Sequence, residues 1–259
     1  ICELNNWLDF DSGSTVAGEK FVFIKGDLAL LELALVQWSV NEVTKKGFEI
    51  MIAPDVVRAS VINACGFNPR SAASQIYALK SHKHNKNSIE DDDLCLVGTA
   101  EVPLTAQYVG RILEKEQLPL KSMAFGHCFR AEAGSDGTAS QGLYRLHQFS
   151  KVEMVVLCES NQSEKMLDEL VNIQEDLVTQ LGLTFRVRDM ATGDLGATAN
   201  RKFDLEAWMP ARQIWGELSS ASNCTDYQTR RLNVRLNAPT GEAKPVCFSC
   251  ASNCCFVNW

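Results

Sequence analysis

Residues 129–153 constrain the fold of this chain more than any other stretch, because their sequence is typical of two strands joined by a loop. The sequence there is FRAEAGSDGTASQGLYRLHQFSKVE. The run GSDGTASQG consists of residues typical of loops, whereas the flanks are apolar-leaning and rich in β-branched and aromatic residues. The pattern predicts an antiparallel hairpin over residues 122–158 with a long, mobile tip.

The predicted hairpin carries an unusual set of polar groups. Side chains two apart on a strand share a face, so two sets are expected to project together: Arg130 with Glu132, and Arg145 and His147 with Phe149, Lys151 and Glu153. Guanidinium groups suit phosphate oxygens, a ring suits a nucleobase, and carboxylates suit amino groups. We interpret this face as a site for a nucleotide and a molecule with an ammonium group. The alternative is a solvated sheet face whose charges fall there by chance.

The remaining segments alternate between helices and antiparallel strands. A long helix is predicted between Asp27 and Gly47, and its first half is so apolar that we expect it to be buried against the core and a partner chain. A second helix is predicted from Thr99 to about Glu116, and an amphipathic third follows the hairpin. Neither βαβ periodicity nor a GxGxxG or P-loop motif is found. The predicted fold class is α+β, an antiparallel β-sheet flanked by helices.

Composition limits the function classes. Hydrophobic residues make up 46% of the chain and the net charge is −7, which fits a soluble globular protein with no overall attraction to nucleic acid. No apolar run reaches about 18 residues and no signal-peptide pattern is found, so no membrane association is predicted. Because residue 1 is isoleucine, we expect the natural N-terminus to lie upstream.

The ten cysteines form two groups. Six are scattered through the chain, several of them in apolar settings that predict small buried hydrophobes: Cys2, Cys65, Cys95, Cys128, Cys158 and Cys224. Four crowd the end as CxxC and CC: Cys247, Cys250, Cys254 and Cys255. Four sulfurs could bind zinc, but the last spacing is tight, and we favour an aberrant, disordered tail over 238–259. His82 and His84 lie in a polar loop and are expected to be solvent-exposed rather than metal ligands.

Several segments together resemble seryl-tRNA synthetases, which are class II aminoacyl-tRNA synthetases. The hairpin resembles their motif 2, with Phe129-Arg130-Ala131-Glu132 followed by Arg145, Phe149 and Glu153. KGFEIMIAPDVV (46–57) resembles motif 1. The bacterial and organellar branch of the family is indicated by four segments in order: GTAEVPL (98–104), GLYRLHQFSKVE (142–153), RKFDLEAWMP (201–210) and GELSSASNCTDYQTRR (216–231). The resemblance covers residues 1–237, which it implies are the catalytic domain.

The resemblance implies a role for each matching residue. Serine would be bound by Thr99, Ala100, Glu101, Arg130 and Glu153. ATP would be bound by Arg130, Ala131, Glu132, Arg145, Leu146, Phe149, Glu217, Leu218, Ser219 and Ser220. Arg130 and Glu217 would be the catalytic residues, and Glu217 with Ser220 would hold Mg²⁺.

The implied activity is that of a serine–tRNA ligase, which activates L-serine with ATP and transfers it to tRNA(Ser), in a homodimer and in the mitochondrial matrix. A cytoplasmic location is the alternative. Two parts of the family pattern are not found, namely the N-terminal tRNA-binding arm and motif 3, which normally packs beside motif 2 and closes the ATP site. These departures leave open a non-catalytic paralogue, or an inactive truncated isoform, acting as a structural or dimer partner. They also make it doubtful that this chain is active by itself.

Overall fold

The structure is a computed structural model that describes residues 2, 4–68, 75–79, 90–132, 142–237 and 244–254, with the backbone alone at 244, 245 and 248–254. Its helices are α1 (Phe10–Ala17), α2 (Gly26–Lys45), α3 (Ala59–Ala64), α4 (Glu101–Ala106), α5 (Ser163–Gln180) and α6 (Tyr227–Arg231). Short 3₁₀ helices cover Lys115–Gln117, Gly142–Tyr144, Ser160–Gln162 and Thr192–Asp194. No helix in this part of the chain is long and apolar enough to cross a membrane.

The strands are β1 (Leu8–Asp9), β2 (Phe23–Ile24), β3 (Glu49–Met51), β4 (Val56–Arg58), β5 (Leu94–Leu96), β6 (Ile112–Leu113), β7 (Leu120–Phe129), β8 (Gln148–Cys158), β9 (Phe185–Asp189), β10 (Arg201–Met209), β11 (Ile214–Thr225), β12 (Arg235–Leu236), β13 (Lys244–Pro245) and β14 (Cys247–Cys254). Among the described residues, seven of these strands form the central sheet in the order β3-β7-β8-β14-β11-β10-β9. β3 runs parallel to β7, and every other neighbouring pair is antiparallel. The predicted α+β class is confirmed.

The hairpin predicted over 122–158 is formed by β7 and β8, which pair from Leu120↔Leu157 to Phe129↔Gln148. The residues of its tip, 133–141, lie outside the described part of the chain. The side chains of β8 alternate between two cores, because successive residues of a strand point to opposite faces. Val152, Met154 and Val156 pack with α2 and α5. Val155 and Leu157 pack with α3 and α4 on the other face, which Phe149, Lys151 and Glu153 share.

Helix α5 confirms the predicted amphipathic helix and covers the first of these faces. Its buried apolar stripe consists of Met166, Leu167, Leu170, Ile173, Leu177 and Val178. The helix packs against β8, β11 and β14, and Gly182 follows it at φ +68°. A left-handed residue at this point satisfies the last carbonyl groups of the helix and ends it.

The helix predicted from Thr99 to about Glu116 is wrong in its second half. Helix α4 ends at Ala106, and Gly110, at φ +70°, donates its backbone N–H to the carbonyl of Leu232. Ile112 and Leu113 then form β6, which pairs in parallel with β12. The helical spacing of the apolar residues was therefore overridden by pairing with a strand more than a hundred residues away.

The prediction that residues 238–259 form a disordered tail is wrong for β13 and β14. Strand β14 lies in the middle of the central sheet, hydrogen-bonded to β8 on one side and β11 on the other. No element corresponding to motif 3 was predicted, yet this strand pairs directly with β8 of the hairpin. The strand was not predicted because the cysteines of VCFSCA are equally consistent with metal ligands and with buried residues of an apolar strand.

The long helix α2 confirms the predicted helix but is not buried in its first half. Leu30, Leu31 and Leu33 are 64%, 52% and 65% exposed, whereas the buried residues Val40 and Val43 lie in its second half. Five of the scattered cysteines are buried as predicted: Cys65, Cys95, Cys128, Cys158 and Cys224. Cys2 is half-buried, and His82 and His84 lie outside the described residues.

Candidate functional site

The centre of the candidate site is a buried network of three side chains, which we call the Thr99–Lys151–Glu153 triad. Lys151 Nζ lies 2.6 Å from Glu153 Oε2 and donates to Thr99 Oγ1 at 2.6 Å. Thr99 Oγ1 in turn donates to Glu153 Oε2 at 2.5 Å. Lys151 and Thr99 are each 2% exposed, and Glu153 is fully buried. A buried carboxylate without a counter-charge would be costly, and Lys151 supplies that counter-charge to Glu153.

The triad uses one oxygen of Glu153 and leaves the other without a partner. Glu153 Oε1 is buried, and no group among the described residues donates to it. The single proton of Thr99 is committed to Oε2, and Thr99 Oγ1 also accepts from the backbone N–H of Glu101 at 3.3 Å. Because an unpaired buried acceptor costs free energy, Glu153 Oε1 is an acceptor suited to a ligand that brings its own donor.

The residues predicted beside Thr99 contribute in different ways. Ala100 is the N-cap residue of α4, and its side chain belongs to the apolar core, so only its backbone can face a ligand. The helix therefore begins at Glu101, two residues after its predicted start at Thr99. Glu101 lies in the first turn, where its carboxylate accepts from Gln228 Nε2 at 2.5 Å.

Arg130 lies just past the end of β7, with its guanidinium over a ring of β8. Its Cζ is 5.1 Å from the ring centre of Phe149, and its Nε donates to the carbonyl of Gly98 at 3.4 Å. The backbone of Arg130 is fixed by His147, whose carbonyl accepts from Arg130 N and whose Nδ1 lies 2.8 Å from Arg130 O. A guanidinium held beside an aromatic ring is an arrangement suited to a phosphate next to a nucleobase.

The expected shared face of Arg130 and Glu132 is not formed, because the strand ends at Phe129 and Glu132 adopts φ +47°. Glu132 instead pairs with Arg145, whose Nη1 lies 3.0 Å from Glu132 Oε2. Arg145 itself precedes the start of β8 at Gln148 and is half exposed. These two predicted nucleotide-binding residues are thus brought together by a turn rather than by strand alternation.

Two other residues predicted to bind ATP flank this pair. Leu146 is buried, and Ala131 is half-buried. The backbone N–H of Ala131 donates to the carbonyl of Gln75 at 2.9 Å.

On β11, a bulge decides which predicted residues face the site. Leu205 pairs with Ser219 and the next residue of β10, Glu206, pairs with Glu217, so Leu218 is the extra residue. In a regular strand Glu217 and Ser220, three apart, would point to opposite faces, whereas the added residue turns them to the same face. Leu218 packs in the core under α5, and Ser219, paired with the core residue Leu205, is 3% exposed. Among the residues predicted here, Glu217 and Ser220 therefore offer side chains to the site.

Glu217 and Ser220 offer a carboxylate and a hydroxyl on one face, which are ligands that Mg²⁺ accepts together with substrate phosphates. Lys202 Nζ lies 3.9 Å from Glu217 Oε1 and 2.7 Å from Asp204 Oδ1. The loss of hydration around Glu217 raises its pKa; Lys202 lowers it, Asp204 raises it, and Arg130 and Lys151 lower it. Charges of the hairpin and of β10 thus act on one carboxylate of β11. Among the described residues, no group of three or more His, Cys, Asp or Glu side chains is arranged to hold a metal.

Three residues of the site were missed as site residues by the sequence analysis: Lys151, Lys202 and Gln228. Lys151 had been placed on the correct face by strand alternation, which was the signal that could have found it. Lys202 stands two residues before Asp204 on the predicted strand, so alternation also places it on their common face. Gln228 gives no local signal, since its partner Glu101 is 127 residues away.

Comparisons with known proteins agree with this geometry. Residues 81–258 match the family model described as the tRNA synthetase class II core domain (G, H, P, S and T). A serine–tRNA ligase of Dictyoglomus thermophilum is 44% identical over 243 residues, which are 94% of this chain but 55% of that protein. The chain therefore spans only about half the length of this curated relative.

Two solved structures are similar over nearly the whole chain. Seryl-tRNA synthetase from Pyrococcus horikoshii, complexed with ATP, superposes with a TM-score of 0.88 at 34% identity, covering 98% of this chain and 54% of that one. Cytoplasmic serine–tRNA ligase from Naegleria fowleri, in complex with AMP, gives a TM-score of 0.89 at 29% identity, covering 100% of this chain and 59% of that one.

Proposed function

We propose that this chain, which belongs to the family of class II tRNA synthetase core domains, is the catalytic part of a serine–tRNA ligase. The reaction would join L-serine to ATP as seryl-adenylate and pass the seryl group to tRNA(Ser). The relatives named serine–tRNA ligase and the neighbours bound to ATP and AMP support this substrate set. They give no support to the alternative of a non-catalytic paralogue.

The observation that carries the proposal is the unpartnered, buried Oε1 of Glu153. Serine brings two kinds of donor, an ammonium group and a hydroxyl, and either could satisfy this acceptor. A site built to hydrogen-bond a hydroxyl rejects an analogue that lacks it, because the buried acceptor then stays unpaired. Glu153 would in this way select serine over alanine.

The chain's residues then supply positioning and charge rather than a nucleophile. A carboxylate oxygen of serine would attack the α-phosphorus of ATP, the bond from that phosphorus to the bridging oxygen would break, and pyrophosphate would leave. Arg130 would neutralise charge at the α-phosphate and the serine carboxylate, while Phe149 would stack on adenine. A hydroxyl of the terminal tRNA ribose would then attack the seryl carbonyl carbon and release AMP.

Glu217 and Ser220 would hold Mg²⁺ beside the phosphates, since the bulge at Leu218 places both on the site face. When bound, the ion would neutralise phosphate charge. Lys202 contributes a fixed positive charge 3.9 Å from Glu217, and its ion pair with Asp204 holds it there.

A homodimer is also proposed, on the evidence of helix α2. Three leucines of its first half, Leu30, Leu31 and Leu33, stay more than half exposed in the single chain. Contiguous exposed apolar side chains of this kind mark an interaction surface. A second copy of the chain would cover them.

The compartment is proposed to be the mitochondrial matrix, with the cytoplasm as the alternative. The support is the resemblance of four segments, 98–104, 142–153, 201–210 and 216–231, to the bacterial and organellar branch of the family. Fluorescent tagging of the natural full-length protein tests this. Colocalisation with a mitochondrial matrix marker is expected, and diffuse cytoplasmic signal would contradict it.

Binding of a non-hydrolysable seryl-adenylate analogue, the seryl-sulfamoyl-adenosine, tests the proposed site. A saturating analogue should raise the midpoint of thermal unfolding, because it binds only the folded state. The alanyl analogue, which lacks only the hydroxyl, is the matched control and should give a much smaller rise. Equal shifts with both analogues, or none with either, would overturn the proposal.

A further inference from the structure

Gln228, the second residue of α6, is fully buried, and its amide holds the carboxylate of Glu101. Nε2 donates to Glu101 Oε1 at 2.5 Å and to the carbonyl oxygen of Cys65 at 3.2 Å. Both partners can only accept, which fixes the orientation of the amide. Its other end, Oε1, is buried without a partner among the described residues. Leaving this oxygen buried without a hydrogen bond costs free energy. We infer that the amide is oriented for the hydrogen bonds that Nε2 donates.

Helix α6, which carries Gln228, is anchored by further hydrogen bonds. The next residue of α6, Thr229, is also fully buried and donates from Oγ1 to the carbonyl of Val246, immediately before β14. The backbone N–H of Val234 donates to the carbonyl of Thr229 at 2.8 Å, closing the turn after the helix. Helix α6 therefore connects two parts of the site: Gln228 contacts Glu101 of α4, and Thr229 contacts the chain that enters the centre of the sheet.

The surroundings of the amide favour a neutral donor. Loss of hydration raises the pKa of the Cys65 thiol, and the nearby charge of Glu101 and the Cys224 thiol raise it further, so this thiol stays neutral. A lysine at 228 would cancel the charge of Glu101, and a glutamate would repel it. An amide orients the carboxylate and leaves its negative charge intact for an ammonium group.

We propose that Gln228 is a positioning residue that fixes the carboxylate of Glu101 and thereby sets the affinity of the site for the amino acid. This inference rests on the proposed function, since it places Glu101 against serine. Gln228 touches no reacting atom in this account and acts only through Glu101.

The test compares Gln228→Leu, Gln228→Glu and the control Gln107→Leu in serine-dependent ATP–pyrophosphate exchange. Gln107 is an exposed glutamine at the end of α4 whose Nε2 donates to the carbonyl of Leu104, away from the triad. Losing a hydrogen bond to a charged group should raise the KM for serine about 10- to 100-fold in Gln228→Leu. The KM for ATP should change less than about twofold in that variant, and Gln107→Leu should match the wild type in both.

Gln228→Glu supplies a readout that a purely structural role would not move. Two carboxylates in contact share one proton, and a protonated glutamic acid can donate to Glu101 as the amide does. The neighbouring Cys65 and Cys224 are thiols, so the charged group that faces residue 228 is the carboxylate of Glu101. The KM for serine in this variant should be near the wild-type value at about pH 6 and rise as pH approaches about 9, whereas the wild-type KM should be nearly flat over that range.

Each outcome decides the inference. Equal rises of the KM for serine and for ATP in Gln228→Leu, or no rise, would overturn it, as would a Gln228→Glu variant without pH dependence. If Gln228→Leu does not fold, the pH profile of Gln228→Glu decides alone. Absence of serine-dependent exchange in the wild type would refute the proposed function, which is a different result from exchange that Gln228 does not influence.

Discussion

Lys151 Nζ and Glu153 Oε2 lie 2.6 Å apart in the protein interior, on one face of the same strand, with side-chain exposures of 2% and 0%. Residues two apart on a strand can meet in this way, so a single strand supplies both the charge and its counter-charge. Thr99, which lies just before α4, bridges them. The candidate site is thus organised around an ion pair that is sealed from water while one carboxylate oxygen stays available.

Removal of Lys151 should destabilise the protein strongly. In Lys151→Met, Glu153 becomes a buried, uncompensated charge, and the free energy of unfolding should fall by about 3–5 kcal/mol. The double variant Lys151→Met with Glu153→Leu removes both charges and should recover most of that loss, yet it should not activate serine. Urea denaturation and pyrophosphate exchange measure the two quantities. A double variant as unstable as the single one would contradict the ion-pair account.

Thr99 should matter through its hydroxyl rather than its shape. Thr99→Val keeps the volume but leaves Lys151 and Glu153 each short of a partner, and the KM for serine should rise about tenfold, which corresponds to about 1.4 kcal/mol. Thr99→Ser keeps the hydroxyl and is the matched control, with a KM expected near that of the wild type. Similar effects in both variants would show that packing, not hydrogen bonding, is what Thr99 contributes.

Binding of Mg²⁺ should weaken as pH falls. The pKa of Glu217 is raised above the ordinary 4.5 of a glutamate, so protons compete with the ion at a higher pH than for a free carboxylate. The effect on stability has the opposite sign: the ionised form is disfavoured in the folded protein, so the contribution of Glu217 to stability decreases as pH rises through this range. Calorimetric titration of Mg²⁺ with ATP present, over a pH series, measures the effect. Glu217→Gln should bind weakly and without this dependence; the same dependence in that variant would assign it to another group.

Strand β14 should be essential for the fold. Ala251 pairs with Met154 on one side and with Ala221 on the other, so a proline there removes a hydrogen-bond donor from the middle of the sheet. Ala251→Pro is expected to lose the cooperative thermal transition, whereas Ala251→Gly keeps the N–H and should lower the free energy of unfolding by only about 1 kcal/mol. A proline variant that unfolds like the wild type would restore the prediction of a poorly packed tail.

Association through helix α2 should depend on its exposed leucines. Leu31→Asp with Leu33→Asp should shift the chain from dimer to monomer in sedimentation velocity, because charged groups would be buried in the interface. Val16→Asp, a charge placed at a 72% exposed position of α1, is the control and should leave the dimer intact. A wild-type monomer at micromolar concentration, or a double variant that stays dimeric, would contradict the proposed interface.

The sequence predicted those parts of the site that are determined by residues close together in the chain. Alternation along β8 places Phe149, Lys151 and Glu153 on one face, and this holds because one face of the strand is buried against α2 and α5. The stop of α2 at Gly47 was predicted for the same kind of reason, since a residue at φ +87° ends a helix wherever it lies.

Features set by distant partners were not predictable in this way. The segment after Ala106 follows a helical pattern, yet it becomes β6 because β12 offers it a parallel partner. The bulge at Leu218 depends on the register of β10, and the contact of Gln228 with Glu101 depends on where α6 is anchored. No periodicity in the sequence carries such information, because each is decided by packing between segments.

Amino-acid-dependent ATP–pyrophosphate exchange by this chain tests most directly whether Glu153 selects serine for activation. Serine, alanine and threonine are compared, and Glu153→Gln is run beside the wild type. We expect exchange that depends on serine, little exchange with alanine or threonine, and a large loss of exchange in Glu153→Gln. ATP should still raise the midpoint of thermal unfolding of that variant as it does for the wild type. A folded wild-type chain that binds ATP but exchanges no pyrophosphate with serine, or exchanges it equally with alanine, would contradict the account.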